Sequence, residues 1–437
     1  MKPRITVGLI GLGTVGCGVA KVLLGNSEVI TRRVGVPIDL VRIVDLDITT
    51  DRGIALPDGI LTTDAESVIQ DPDVDIVVEL IGGYDPAKRF ILQAIAQGKS
   101  VVTANKALLA VHGEEIFHAA TSAGVDLGFE ASVGGGIPII KSLTEGLVAN
   151  SISSMFGIMN GTSNYILTKM TEEGKSFDEV LHHAREEGYA EADPTFDVEG
   201  VDAAHKLAIL VNLAFGTPVN IKEIHTEGIS KLSTMDIEVA LEFGYTIKLL
   251  SIAKYQGGEI EARVHPTLVP SSSPIAQVGG VYNAIHLVGD AVGDVVLYGQ
   301  GAGSLATASA VVSDIVDVAR NRLKHVSGRV PIASYQWAKR MPIRIRPIHE
   351  ISSMYYLRCM VLDEPGVLSK ISGALGEQHI SISSVLQKGR RQGQTVPLVI
   401  MTHRSSERAM QTALEAINRM PFVSEPATLL RIEASET

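Results

Sequence analysis

Short apolar runs alternate with amphipathic helical patterns along the first 130 residues of the chain. The apolar runs are ITVGLI at 5–10, LVRIV at 40–44, DIVVEL at 75–80 and SVVT at 100–103. Runs of this length predict buried strands, and the intervening patterns predict helices that end near Leu24 or cover 86–97 and 114–123. Such alternation predicts βαβ units, so we expect a Rossmann-type parallel sheet over residues 1–133.

The pattern becomes mixed after about residue 130. Strand-like segments lie at 152–159, 261–268 and 284–288, and helical patterns at 177–187, 201–215 and 234–253. We therefore expect a second, mixed α+β domain over 134–303. A long helical pattern at about 304–323 follows a GAG turn, and we assign it to the first domain as a returning helix.

The C-terminal part of the chain has a pattern of its own. Residues 324–350 contain three prolines and a basic cluster, which is typical of a linker. Over 351–433 the predicted order is strand, helix, two strands, helix, strand. This βαββαβ order predicts a ferredoxin-like domain. The fold class is thus α/β and α+β in a multidomain chain.

Composition narrows the class of protein. The 437 residues include 38 Lys and Arg against 49 Asp and Glu, a net charge of −11, which argues against nucleic acid as a partner. Two distant cysteines allow neither a disulfide framework nor a cysteine-based zinc site, as expected in a reducing cytosol. The chain shows no targeting signal, and its longest uncharged stretch is a poor membrane span. We expect a cytoplasmic protein that binds no membrane.

A glycine-rich hexapeptide follows the first predicted strand and precedes a helix. It comprises Gly11, Leu12, Gly13, Thr14, Val15 and Gly16. Its first glycine allows a tight turn, its second lets a pyrophosphate approach the backbone, and its third packs helix on strand. The helix N-terminus then attracts the anion. A merely structural turn is the alternative, but the position favours dinucleotide binding.

An acidic residue ends the second predicted strand. Asp45 could bind the adenosine ribose hydroxyls, although Asp47 competes for this role and a solvated loop carboxylate is the alternative. The acid favours NAD. Nearby Arg52 could accommodate a 2′-phosphate, so NADP stays open.

Two further segments carry lysines suited to chemistry. In VTANKALLA, Lys106 follows a strand end, where a cation could meet a phosphate, a carboxylate or a reacting oxygen, unless it is a solvated helix-start lysine. In GYAEADPTFDVEGVDAAHK, an acidic loop precedes Asp202 and Lys206, which share one helical face. A surface salt bridge is the alternative. We favour function, since carboxylates suit a substrate ammonium and a lysine can exchange a proton with a carbonyl oxygen. His205 is expected to be structural.

The glycine-rich turn at 133–136 offers backbone carbonyls close to the carboxylate of Glu130. Such oxygens could hold a monovalent cation, or the segment could be a simple turn.

Together, several segments resemble the homoserine dehydrogenase family over nearly the whole chain. They are GLGTVG, TANKALLA, FEASVGGGIPII, IMNGTSNYIL, GYAEADPTFDVEGVDAAHKLAIL and GAGSLATASAVVSDI, of which the fifth is the most specific. The C-terminal unit with its DEPGVL turn resembles an ACT domain, and His379 stands there where Asn is frequent.

The resemblance implies reversible reduction of L-aspartate 4-semialdehyde to L-homoserine with NADP or NAD, in threonine, methionine and isoleucine biosynthesis. It implies Lys206 as the proton donor and acceptor, with Lys106 and Asp202 beside it. Further implied roles are substrate binding by Glu191, Asp202, Asp197, Tyr189, Gly161 and Thr162, and cofactor contacts of Thr103, Lys106 and Gly303. A sodium-type site is implied at Glu130, Val133, Gly135 and Ile137. It also implies an oligomerisation role for 134–303, a threonine effector, and a homodimer or homotetramer.

Two other functions compete with this interpretation. One is a different amino-acid-linked dehydrogenase of similar layout. The other is a sensor that binds nucleotide and amino acid without catalysis, which the acid–lysine cluster disfavours.

Overall fold

The computed structural model describes residues 3–388 and 394–434. Its first sheet has the strand order β3-β2-β1-β4-β5-β6, and each neighbouring pair is parallel. The strands are β1 (Ile5–Ile10), β2 (Ile38–Val44), β3 (Leu61–Thr62), β4 (Ile76–Glu79), β5 (Ser100–Thr103) and β6 (Leu127–Gly128). The helices of this region are α1 (Thr14–Gly25), α2 (Ser27–Val34), α3 (Glu66–Ile69), α4 (Ala87–Ala96) and α5 (Lys106–Ala123). The predicted Rossmann-type sheet is confirmed.

Three inner strands of this sheet, β1, β4 and β5, are buried on both faces. Every residue of β1, β4 and β5 is buried, which explains why their sequences read as continuous apolar runs. Position 18 of α1 is glycine because a Cβ there would lie 2.5 Å from the carbonyl oxygen of Ser304. That oxygen belongs to a helix that returns from the second domain, so the two helices pack closely.

The second domain is mixed, as predicted. Its helices are α6 (Ile139–Lys141), α7 (Gly161–Glu173), α8 (Phe177–Glu186), α9 (Thr195–Val198), α10 (Val201–Phe215) and α11 (Thr234–Glu242), followed by the returning helix α12 (Ser304–Leu323). Its strands are β7 (Ile152–Ile158), β8 (His225–Thr226), β9 (Tyr245–Gln256), β10 (Glu259–Pro270), β11 (Tyr282–Gly289) and β12 (Gly293–Gln300).

The helix predicted over 234–253 is wrong in its second half. The helix starts as expected, with a capping box of Ser233 and Asp236, but it ends at Glu242. Gly244 then takes a φ of 81°, and Tyr245 begins β9. This strand lies between β7 and β10 and is buried over most of its length, so it lacks the polar alternation that would have identified it.

The C-terminal region shows the predicted βαββαβ order. It consists of β13 (Ser352–Leu362), α13 (Val367–Glu377), β14 (Ile382–Gln387), β15 (Thr395–Thr402), the short β16 (Ser405–Ser406), α14 (Glu407–Asn418) and β17 (Thr428–Ile432). Strand β17 also pairs in parallel with β10, so the strands of both domains form one sheet of order β12-β11-β7-β9-β10-β17-β13-β15-β14.

The segment 324–350 packs against the domains that it connects. The guanidinium of Arg340 lies 2.7 Å from the carboxylate of Glu114 on α5. Ile345 is buried and forms a bridge with Ile260 of β10. The predicted linker is therefore held in place along part of its length.

Among the described residues, none of the helices combines the length and the apolar character that a membrane crossing requires.

Candidate functional site

A largely buried cluster of charges lies at the start of α10. This helix begins after Gly200, which has a φ of 79°, and nearly all of its residues are buried. Lys206 Nζ donates hydrogen bonds to Asp202 Oδ2 at 2.7 Å and to the carbonyl oxygen of Met159 at 2.6 Å. The pair predicted on one helical face is thus a buried pair rather than a surface salt bridge.

Lys106 joins this pair from the first domain. It is the first residue of α5, directly after β5 and the loop that follows it. Its ammonium nitrogen lies 2.5 Å from Asp202 Oδ1, and its side chain is 37% exposed. The structure therefore brings together the two lysines that the sequence singled out, one on each oxygen of the same carboxylate.

The pKa values of Asp202 and Lys206 are both lowered, but for different reasons. Burial favours a protonated Asp202, but the charges of Lys206 and Lys106 outweigh it and hold the pKa of Asp202 below its usual range. Burial lowers the pKa of Lys206, partly opposed by Asp202, and the charge of Lys106 lowers it further. A lysine with a lowered pKa is suited to exchange a proton near neutral pH.

Sequence reasoning missed Asn160, which lies between β7 and α7. Its Nδ2 donates to Asp202 Oδ2 at 2.9 Å and to Asp197 Oδ1 at 2.6 Å. Asn160 therefore connects α9 to α10. The available signal was its place in IMNGTSNYIL, directly after a predicted strand and before Gly161.

The remaining residues of this predicted pocket lie on loops and helix starts. Thr162 Oγ1 donates to the carbonyl oxygen of Tyr189 at 2.8 Å, and the Tyr189 ring packs 4.9 Å from the ring of Tyr165. A Cβ at Gly161 would lie 2.8 Å from the carbonyl oxygen of Val281, so this helix start needs glycine. Glu191 is exposed and makes no hydrogen bond within the described residues, so it is not brought to the lysines here.

The glycine-rich turn has the geometry that its sequence predicts. Gly11 takes a φ of 105°. A Cβ at Gly16 would lie 2.1 Å from the Gly11 oxygen, whereas a Cβ at Gly13 would meet nothing within 4 Å. No side chain caps α1, whose first residues are Thr14 and Val15. The open space and the free helix start fit a pyrophosphate group.

Asp45 supports this turn directly. Its Oδ2 accepts the backbone N–H of Leu12 at 2.6 Å, and its Oδ1 accepts that of Asp47 at 2.9 Å. Arg52 Nη2 lies 3.3 Å from Asp45 and 3.7 Å from Asp47. The acid and the cation weighed for the ribose site thus lie together at the end of β2.

Gly303 and Thr103, the two other predicted cofactor residues, lie beside α1 and β4 respectively. Gly303, with a φ of 114°, precedes α12, and the adjacent Ser304 Oγ donates to the carbonyl oxygen of Thr14 at 2.7 Å. The fully buried Thr103 donates to Glu79 Oε2 at 2.6 Å. Glu79 is a second residue that sequence reasoning missed, and burial raises its pKa despite its hydrogen bonds.

The turn proposed for a monovalent cation has its carboxylate engaged elsewhere. Glu130 accepts the backbone N–H groups of Ile140 and Lys141, both at 2.8 Å, and burial together with Asp314 raises its pKa to about 7. The carbonyl oxygen of Ile137 accepts the N–H of Ile139 at 2.8 Å. Close packing explains the glycine at 135, since a Cβ there would lie 2.6 Å from the Gly301 oxygen. Val133 is fully buried. The described residues contain no group of three or more His, Cys, Asp or Glu that could hold a metal ion.

Comparison with known proteins agrees with this layout. A family model described as the NAD binding domain of homoserine dehydrogenase matches residues 11–130. A model described as homoserine dehydrogenase matches 138–316, and an ACT domain model matches 355–422. The Neisseria gonorrhoeae homoserine dehydrogenase is 48% identical over 434 residues, which cover 99% of both chains.

Solved structures show the same relationship. A homoserine dehydrogenase from Thiobacillus denitrificans matches with a TM-score of 0.93 and 48% identity, over 98% of both chains. A hyperthermophilic archaeal homoserine dehydrogenase mutant, solved in complex with NADPH, matches with a TM-score of 0.62 and 28% identity over 75% of this chain and all of that one. The chain belongs to the homoserine dehydrogenase family.

Proposed function

We propose that the chain catalyses the reversible reduction of L-aspartate 4-semialdehyde to L-homoserine with NADPH or NADH. The observation that carries the proposal is the Asp202 carboxylate held between Lys206 and Lys106. Lys106 begins α5 beyond the carboxyl end of β5, and open α/β sheets bind their ligands at this edge. The glycine-rich turn follows β1 of the same sheet, so cofactor and lysines share one edge.

The roles of the residues follow from the charge that develops. The cofactor, when bound, supplies a hydride for the aldehyde carbon. Lys206 stabilises the negative charge on the substrate oxygen and donates the proton, and in the reverse direction it accepts that proton. Asp202 orients Lys206, while Lys106, on the other oxygen of Asp202, would contact the substrate and the nicotinamide when they are bound.

Other residues bind and orient the substrate. Glu191 and Asp197 hold its ammonium group together with Asp202, which requires the loop of Glu191 to close over the pocket. Tyr189, Gly161 and Thr162 line the pocket. The 2.8 Å bond from Thr162 to the Tyr189 backbone supports this arrangement.

The cofactor is held by the turn from Gly11 to Gly16, by Asp45, and by Thr103 and Gly303. Asp45 engages the Leu12 backbone as well as Arg52, so Arg52 can turn towards a 2′-phosphate while Asp45 keeps the turn in place. The monovalent cation at Glu130, Val133, Gly135 and Ile137 stays a prediction. Because the Glu130 carboxylate already accepts two backbone N–H groups, the ligands of such a cation would be mainly backbone oxygens.

Regulation and assembly complete the proposal. Threonine is the proposed effector of the ACT domain, acting on a cytoplasmic homodimer or homotetramer. The reaction is the branch step towards threonine, methionine and isoleucine. His379 has a φ of 57°, in the left-handed region where His, like Asn and Asp, occurs more often than other residues with a side chain.

The test is a set of initial rates followed by the absorbance of reduced nicotinamide. Aspartate semialdehyde should be reduced with NADPH or NADH, and threonine should lower the rate. Lys206→Ala should abolish turnover and leave cofactor binding largely intact. Unchanged activity in this variant would refute the role of Lys206, and cofactor binding without turnover by the unmodified chain would favour a sensor.

A further inference from the structure

We propose that Asn160 is a positioning residue whose side-chain amide holds the carboxylates of Asp197 and Asp202 in register for the reaction. This inference deepens the proposed function and rests on it. Asn160 is 6% exposed and ends the loop between β7 and α7. It lies in neither of the charged segments that the sequence singled out.

The orientation of the amide is fixed by the helix that follows. Asn160 Oδ1 accepts the backbone N–H of Ser163 at 2.8 Å and so caps α7. Because the oxygen is committed to this cap, the Nδ2 group must point away from it. Its two hydrogens are directed at Asp197 Oδ1 and Asp202 Oδ2, at 2.6 and 2.9 Å.

The bond to Asp202 completes the orientation of that carboxylate. Oδ2 accepts from both Lys206 and Asn160, while Oδ1 faces Lys106. Two hydrogen bonds on Oδ2 and the ammonium of Lys106 beside Oδ1 oppose rotation of the carboxylate, so Lys206 Nζ is held at one place. Of the three groups that contact the Asp202 carboxylate here, the Asn160 amide is neutral and the two lysines are charged, so loss of the amide would leave only the lysines.

The bond to Asp197 fixes the short helix α9. Asp197 also has its backbone oxygen bonded to Ser163 Oγ at 2.9 Å, so α7 holds it at two points. The amide places the Asp197 carboxylate next to that of Asp202 without adding a charge between them. A substrate ammonium bound by both acids would depend on this spacing.

A neutral donor is needed because of the charges that face position 160. These are Asp197 from α9, Asp202 and Lys206 from α10, and Lys106 from α5 through Asp202. An aspartate at this position would cap α7 as well as Asn does. It would, however, place a third carboxylate against two others, which raises the pKa of a carboxyl group.

The test compares Asn160→Asp with Asn160→Ser in the full-length protein. Both variants keep a side chain that can cap α7, and both lose the amide that donates to Asp197 and to Asp202. We expect kcat to fall roughly 10- to 100-fold in each, as for the loss of charge-assisted hydrogen bonds. KM for homoserine should rise as well, since the Asp197 carboxylate loses the amide that holds it while only its backbone oxygen stays bonded to Ser163.

The pH profile separates positioning from simple capping. In Asn160→Asp the added carboxyl can donate a hydrogen bond only when protonated, so its activity relative to the unmodified enzyme should rise as pH falls. The relative activity of Asn160→Ser should stay flat with pH. A residue that only caps α7 would make Asn160→Asp indistinguishable from the unmodified enzyme in kcat, KM and pH profile, and this result would overturn the proposal.

Two controls keep the test decisive. Thermal unfolding and cofactor titration establish that each variant is folded. A crystal structure of Asn160→Ser should show the Asp197 and Asp202 carboxylates displaced. Carboxylates that keep their positions would refute the role of Asn160 even if the unmodified chain failed to reduce the aldehyde, a failure that would count against the proposed reaction instead.

Discussion

Arg431 of β17 and Glu227, which follows β8, form a two-pronged ion pair between the C-terminal domain and the second domain. The two nitrogen–oxygen distances are 3.0 and 3.1 Å. The same guanidinium also binds Glu407 at 2.6 and 2.8 Å. Arg431 is 2% exposed, so one buried cation binds two carboxylates within the joined sheet.

Removal of this cation should destabilise the protein strongly. Arg431→Met removes the guanidinium that Glu227 and the buried Glu407 share, and leaves them only their bonds to His225, Tyr355 and Gln411. We expect the free energy of unfolding to fall by about 3–5 kcal/mol. Denaturant titration measures it. The control is Arg419→Met, because Arg419 pairs with Glu415 on an exposed helix face, where such pairs contribute at most about 1 kcal/mol. Equal losses in both variants would contradict a structural role for the buried cluster.

Truncation before the C-terminal domain should separate regulation from catalysis at a cost in stability. Lys106, Asp202 and Lys206 all lie outside that domain, so a chain ending near residue 350 should retain turnover and lose its response to threonine. It should also unfold at a lower temperature, because β10 loses its partner β17. Rates with and without threonine, combined with thermal unfolding, measure both effects. A truncated chain that stayed equally sensitive to threonine would place the effector site elsewhere.

Four strands of the first sheet, namely β1, β2, β4 and β5, and the C-terminal βαββαβ order could be predicted because they depend on local patterns, whereas the two-residue strands β3 and β6 are too short to show one. Each buried strand of the first sheet is short, lies between a turn and a helix, and needs no distant information. Strand β9 could not be distinguished from a helix, since both of its faces are buried and its sequence does not alternate between polar and apolar residues. The pairing of β17 with β10 joins segments far apart in sequence, and no periodicity reports such a contact.

Some residues of the candidate site could likewise be predicted from local patterns, and others could not. Lys206 and Asp202 were visible because their spacing of four places them on one helical face. Lys106 was visible as a cation at a strand end. Asn160 and Glu79 could not be predicted as site residues, because their importance comes from the residues that the fold places around them. Neither belongs to a charge pattern in the sequence.

Lys248 should make the free energy of unfolding increase with pH above about pH 8. Its ammonium is buried in the second domain and donates to the carbonyl oxygen of Val278 at 2.7 Å, and burial lowers its pKa from 10.5 to about 8. Between these two pH values the unfolded chain binds more protons than the folded one, so the free energy of unfolding should rise with pH, by up to about 3 kcal/mol. Below pH 8 both states are protonated and this dependence disappears.

The measurement is the difference in unfolding free energy between the unmodified protein and Lys248→Met from pH 7 to 10.5. Other groups that titrate in this range cancel in the difference. We expect the difference to be flat below about pH 8 and to shift in favour of the unmodified protein above it. A flat difference throughout would mean that Lys248 keeps its ordinary pKa in the fold.

Gly13 should matter for the cofactor and not for the free protein. A Cβ at this position meets no atom within 4 Å, and its φ of −70° is accessible to alanine, so Gly13→Ala should leave the unfolding temperature almost unchanged. The added methyl group occupies the space that a pyrophosphate needs above the helix start, so NADPH should bind at least about tenfold more weakly. The matched control is Gly25→Ala, also unobstructed but at the far end of α1, which should bind NADPH normally. If Gly13→Ala bound NADPH as tightly as this control, the pyrophosphate would have to lie away from the turn.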